Sequence, residues 1–196
     1  MGEPAHWRAM TVEEYLAFEE ASSTKHEYVR GEIVAMSGTT DFHNDVMANV
    51  HGFLRSKLRG GPCRAYVAEV KLHVERANTF FYPDVFVTCD PRDREDPLVK
   101  RYASIVVEVL SKSTAAYDRD EKFADYRQLD SLIDYVLVNT ESQRVELFRR
   151  EEHGWRFLPL GPGDTLSLAS IDVDIPVSAM YEDTAVPLRA PRPAAE

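Results

Sequence analysis

Glu108 lies inside Ile105-Val106-Val107-Glu108-Val109-Leu110, where every neighbour is apolar. A carboxylate buried there without a partner costs several kcal/mol or is driven neutral. A buried salt bridge or a place at the strand's end would meet that cost, and so would a bound cation. Asp84 brings a second acid, because it follows Pro83 and opens Val85-Phe86-Val87 at the head of a neighbouring apolar strand. Asp after Pro is also common in turns. Two carboxylates on adjacent strands repel one another, and a hard divalent cation relieves the repulsion. Mg²⁺, with Mn²⁺ as the alternative, needs only one or two protein carboxylates beside water and substrate phosphate.

Three further residues could join these acids. Lys122 shares a helical face with Tyr126 and Leu129 and so points inward; the plainer reading is a lysine whose stem covers apolar surface while its ammonium pairs with Asp118. His43 stands three, four and seven positions from Val46, Met47 and Val50 on the inner arc of its helix. A core or capping histidine is its ordinary role. Glu32 alternates with Val34 and Met36, so it points inward or else is a charge beside a hairpin turn.

The elements that must position these residues follow from local pattern. Thr11-Val12-Glu13-Glu14 reads as a capping box opening a helix to about Glu20, and Arg30-Gly31 reads as the turn of a hairpin across residues 28–36. Val46, Met47, Val50, Phe53, Leu54 and Leu58 recur at helical spacing between His43 and Leu58, and Gly60-Gly61-Pro62 ends that helix. Strands are predicted over 66–74, 80–88, 105–110, 133–138, 145–148 and 155–158, a helix over 118–129, and a charged loop over 90–96. The run around Glu108 predicts a central strand covered on both faces. This is an α/β (α+β) domain.

Residues 1–196 are read as one domain with a core of about 10–183, and the Pro- and Ala-rich segment 184–196 is expected to fray. No apolar stretch approaches the length that spans a membrane, and no signal peptide precedes the core. Cys63 and Cys89 are the only cysteines, in no metal-binding spacing; as two separate buried thiols they point to a reducing compartment, the cytoplasm. Gly-rich phosphate loops, nucleophile elbows and the His-Glu-x-x-His pattern are absent, which removes support for nucleotide binding, serine hydrolysis and zinc proteolysis. The formal net charge of −10 counts against nucleic acid, since phosphate binding draws on basic surface, although cations lining a cleft would serve.

Tyr82-Pro83-Asp84-Val85, Val106-Val107-Glu108-Val109-Leu110-Ser111 and Tyr117-Asp118-Arg119-Asp120-Glu121-Lys122-Phe123, in that order, resemble the Uma-two family of restriction-endonuclease-like proteins in the PD-(D/E)XK nuclease superfamily. Tyr28-Val29-Arg30-Gly31-Glu32-Ile33 and the helix from His43 extend the likeness, which runs from about Met10 to Asp183. The resemblance implies a restriction-endonuclease-like core, a mixed central sheet flanked by helices with an added N-terminal hairpin and C-terminal strands. It implies Asp84 and Glu108 as the two acids and the Val109 carbonyl as a third ligand to Mg²⁺. The superfamily's lysine should stand two positions after the second acid, where this chain has Leu110; Lys122 is then its replacement. Glu32 would add a ligand through water, and His43 would touch phosphate or support the site. The implied activity is Mg²⁺-dependent hydrolysis of phosphodiesters in nucleic acid, DNA foremost, with paired-strand cutting favouring a homodimer. Two rivals remain: a binding or scaffold protein on the nuclease fold that does not cut, and a hydrolase of small phosphorylated compounds.

Overall fold

The computed structural model describes residues 9–36 and 38–188. Helix α1 (Val12–Ala21) starts with the expected capping box: the Glu14 amide donates to Thr11 Oγ1 at 3.2 Å and the Thr11 amide to Glu14 Oε2 at 2.8 Å. Strands β1 (His26–Val29) and β2 (Glu32–Ala35) form the hairpin. Its turn needs glycine at position 31, where φ is +99° and an added Cβ would lie 2.5 Å from the Ala9 Cβ.

Helix α2 (Asp41–Lys57) begins two residues ahead of His43, capped by Thr40. Val46, Val50 and Leu54 are fully buried along one side of it, each worth about 1.5–3 kcal/mol in removed apolar surface.

The next segments correct the reading. Residues 66–74 are two strands, β3 (Arg64–Val67) and β4 (Lys71–Val74), and residues 80–88 are also two, β5 (Thr79–Phe81) and β6 (Val85–Thr88). In both cases the chain leaves one sheet and enters another, so apolar alternation continues across a break in pairing. Pro83, without an amide donor, stands in the second break. The charged loop contains a 3-10 turn (Pro91–Arg94) and leads to β7 (Val99–Lys100).

Strand β8 (Ala103–Leu110) is followed by short α3 (Ala115–Tyr117), a π-helical turn (Asp118–Lys122) and α4 (Phe123–Tyr126), where one uniform α-helix over 118–129 was expected. The chain closes with β9 (Asp134–Asn139), β10 (Val145–Glu151), β11 (Gly154–Leu160), β12 (Thr165–Leu168), β13 (Val173–Pro176) and α5 (Val177–Met180).

Among the described residues a six-stranded mixed sheet has the order β11-β10-β9-β8-β6-β3, with β8 and β9 parallel and its other pairs antiparallel. A five-stranded sheet has the order β2-β1-β5-β4-β7, and β12 pairs with β13. The N-terminal hairpin is therefore the edge of a second sheet rather than an isolated addition. Strand β8 is central and covered on both faces: Ile105, Val107 and Val109 pack with α2, while Val106 and Leu110 pack with Phe123, Tyr126 and Tyr135. Its two-residue alternation puts Glu108 on the Tyr126 side.

Two further expectations change. Cys63 and Cys89 are not separate thiols but a disulfide, because the pairing of Arg64 with Thr88 brings the next two residues side by side, 3.9 Å apart at Cα. The argument from free thiols to a reducing compartment falls with it. Fraying does not begin at 184 either: Val186 is buried and the Pro187 carbonyl accepts from the Gln143 amide at 2.8 Å. Residues 189–196 lie outside the described residues. No helix among the described residues is long and apolar enough to cross a membrane.

Candidate metal and active site

The break between β5 and β6 decides where Asp84 points. Tyr82-Pro83-Asp84 carries the chain between sheets, so Asp84 stands at the mouth of β6 beside β8 rather than within the ladder. Its Oδ2 accepts from the Val109 amide at 2.7 Å, and its own amide donates to Glu108 Oε2 at 3.3 Å. The Asp84 backbone thus touches the Glu108 carboxylate, and the charge of Asp84 acts on Glu108.

Glu108 is held from the opposite side. Tyr126 Oη donates to Glu108 Oε1 at 2.8 Å, and Lys122 Nζ lies 3.0 Å from the same oxygen. Burial above all, opposed by Lys122 and reinforced by the charges of Asp84, Asp118 and Glu27, leaves the Glu108 carboxyl pushed up to about 8. Lys122 loses by burial but gains more from Glu108 and Glu27, and its pKa stands well above the ordinary lysine value.

The π-helical turn carries both Asp118 and Lys122 to the inside, a local widening that recurs at functional sites. Lys122 is buried, as are Tyr126 and Leu129, and its ammonium rests 5.3 Å from the Phe81 ring centroid. Leu110, the superfamily's usual lysine position, is buried in the core.

His43 reaches the cluster from the first turn of α2, with Nε2 3.2 Å from Asp84 Oδ2. Burial lowers its pKa, but the hydrogen bond and charge of Asp84, helped by the Val109 backbone and Asp118, outweigh burial and raise it. Its buried Nδ1 has no hydrogen-bond partner among the described residues. Val109 therefore meets Asp84 through its amide and His43 through its backbone, which brings it to the centre of the site.

Glu32 does not arrive. It is exposed on edge strand β2, paired opposite Val29. The acid supplied by the hairpin is Glu27 of β1, whose Oε1 lies 3.1 Å from Lys122 Nζ and 3.4 Å from the Tyr82 amide. An acid beside Tyr28 and Val29 carried the same signal as Glu108, a charge in an apolar strand, and was open to the same argument. Asp118 was also missed as a site residue. It is buried, burial raises its pKa, and its charge acts on Glu108, Lys122 and His43.

Glu27, Asp84, Glu108 and Asp118 thus surround one lysine and one histidine. Among the described residues no three His, Cys, Asp or Glu side chains already close on a common point as a metal cage. Asp84, Glu108 and the Val109 carbonyl would nonetheless offer hard oxygen donors of the kind that suits Mg²⁺ or Mn²⁺, which complete their shells with water. The surplus of acids over bases in a buried space gives such an ion an electrostatic reason to bind.

The chain matches the family Uma2, described as "Putative restriction endonuclease", over residues 12–178. It is 37% identical over 177 residues to an uncharacterized protein of Synechocystis sp., covering 90% of this chain and 93% of the relative. A second uncharacterized Synechocystis protein is 30% identical over 145 residues, covering 73% of this chain and 82% of the relative. The fold is similar to that of a solved Anabaena variabilis protein described as "a putative nuclease belonging to DUF820", with a TM-score of 0.73, 14% identity, and 88% and 97% of the two chains covered. On the match over residues 12–178 the chain belongs to the Uma2 family.

Proposed function

We propose that this protein is a Mg²⁺-dependent endonuclease that hydrolyses phosphodiesters in nucleic acid, DNA being the expected substrate. The observation that carries the reading is the contact of Asp84 with Glu108 beside a buried Lys122 whose ammonium meets both Glu27 and Glu108. Asp84, Glu108 and the Val109 carbonyl would hold the ion, which when bound polarises the phosphate and makes its water acidic enough to attack. Lys122 orients the attacking water and opposes charge developing on phosphorus. Tyr126 and Glu27 fix Glu108 and Lys122 in place, and His43 fixes Asp84. Cutting of both strands calls for a two-fold pair of chains.

The test is cleavage of plasmid and single-stranded DNA with Mg²⁺ or Mn²⁺. Cutting that requires metal and disappears in both Asp84→Ala and Glu108→Ala is the expected result. Equal cutting by wild type and both variants overturns the proposal. A folded wild type that binds DNA without cutting it turns the reading to the scaffold function.

A further inference from the structure

Five cations collect around the C-terminal end of α2 and the start of β3. Arg55 and Lys57 lie in the last turn of α2, Arg59 follows it, Arg64 opens β3, and Arg94 ends the 3-10 turn; all five are exposed. In this acidic chain many guanidiniums are matched with carboxylates, as in Arg30 with Asp125, Arg92 with Asp90, Arg119 with Glu146 and Arg149 with Asp134. None of the five has a carboxylate in ion-pair reach among the described residues. Three of them, Arg55, Arg59 and Arg64, line one open groove of about 410 Å³.

The groove is held in shape. The Cys63–Cys89 disulfide fastens its floor to the end of β6, Arg64 Nη1 donates to the Gly61 and Cys63 carbonyls at 3.0 and 3.1 Å, and Arg94 Nη2 donates to the Pro62 carbonyl at 2.8 Å. Arg55 and Lys57 also complement the negative end of the α2 dipole. That role does not extend to Arg59, Arg64 and Arg94, which lie beyond the helix.

We propose that this corner binds the phosphate backbone of the nucleic acid that the acidic site cuts, an inference that rests on the nuclease reading. Helix α2 connects the two sites. His43 is at one end beside Asp84, and Arg55 lies about 18 Å along the axis at 1.5 Å per residue, a span of about five phosphate steps on one strand. Backbone contacts of this kind set register without reading bases. They also let a chain of net charge −10 hold a polyanion through a local set of cations that no ion-paired carboxylate neutralises.

The test is fluorescence anisotropy of a labelled 20-base-pair duplex with the full chain, in an Asp84→Asn background so that nothing is cut. Arg55→Gln, Arg59→Gln and Arg64→Gln together should weaken Kd about tenfold or more near 0.1 M salt and lower the slope of log affinity against log salt by about 3. The corresponding three Arg→Lys changes should restore both, since a phosphate backbone reads charge. Unchanged affinity and slope in the Gln variant, with the parent binding normally, overturn the inference and leave the nuclease reading standing. Inorganic pyrophosphate that displaces the duplex at equal concentration identifies a free-anion site and overturns it as well. A parent that binds neither duplex nor single strand removes the nuclease reading along with it.

Discussion

Lys122 Nζ stands 3.0 Å from Glu108 Oε1, with less than a tenth of either side chain exposed. Removing one member of a buried pair leaves the other charge unsolvated, at about 3–5 kcal/mol. Lys122→Met should therefore destabilise the protein by about that amount, because Glu27 and Glu108 both lose their cation. Adding Glu108→Gln to it should recover part of the loss. Urea denaturation of the two single variants and the double variant measures the coupling, and a loss below about 1 kcal/mol for Lys122→Met contradicts a pair of this strength.

The hairpin acid that matters is Glu27. Glu27→Gln should cut cleavage by about 10–100-fold, the range seen when a group supporting a metal site is removed, whereas Glu32→Gln at the exposed edge should leave it within about twofold. The reverse ranking would restore Glu32 to the site.

Adding Mg²⁺ should stabilise the wild type by mass action. At about 100 times its dissociation constant the gain is roughly 2.7 kcal/mol, about 5–10 °C in Tm for a chain of this size. EDTA should reverse it and Asp84→Asn should abolish it. A shift of equal size in Asp84→Asn would locate the ion elsewhere.

His73 stacks on Phe80 with ring centroids 3.9 Å apart, and burial together with Arg101 lowers its pKa from the usual 6.5. Below pH 6.5 the unfolded chain takes up a proton that the folded chain resists, so stability falls as pH drops toward the folded pKa. His73→Phe keeps the stack and removes this contribution. Its urea midpoint should change less between pH 7 and pH 5 than that of the wild type.

The Cys63–Cys89 bridge closes a loop with a sequence separation of 26. Its reduction should cost about 3 kcal/mol, read as a lower denaturation midpoint in dithiothreitol, with two thiols titrating where none did before. No change in midpoint would show that the bridge constrains nothing.

What the sequence by itself determined is whatever short-range chemistry enforces. The Thr11 to Glu14 capping box, the Arg30-Gly31 turn, the inner face of α2 and the doubly covered strand at Glu108 all follow from neighbours within a few residues. Asp84, Glu108 and Lys122 could be singled out because a charge in an apolar pattern needs a partner, whatever the fold. Only the tertiary structure decided which partner. Two apolar runs that alternate like single strands are each split between two sheets, because alternation records burial and not the identity of the neighbouring strand. That split places Asp84 beside Glu108, pairs Cys63 with Cys89, and sends Glu27 rather than Glu32 toward Lys122. Glu27 and Glu32 share one face of the hairpin; what separates them is that β1 pairs with β5 while β2 is the edge, and that choice depends on contacts far away along the chain.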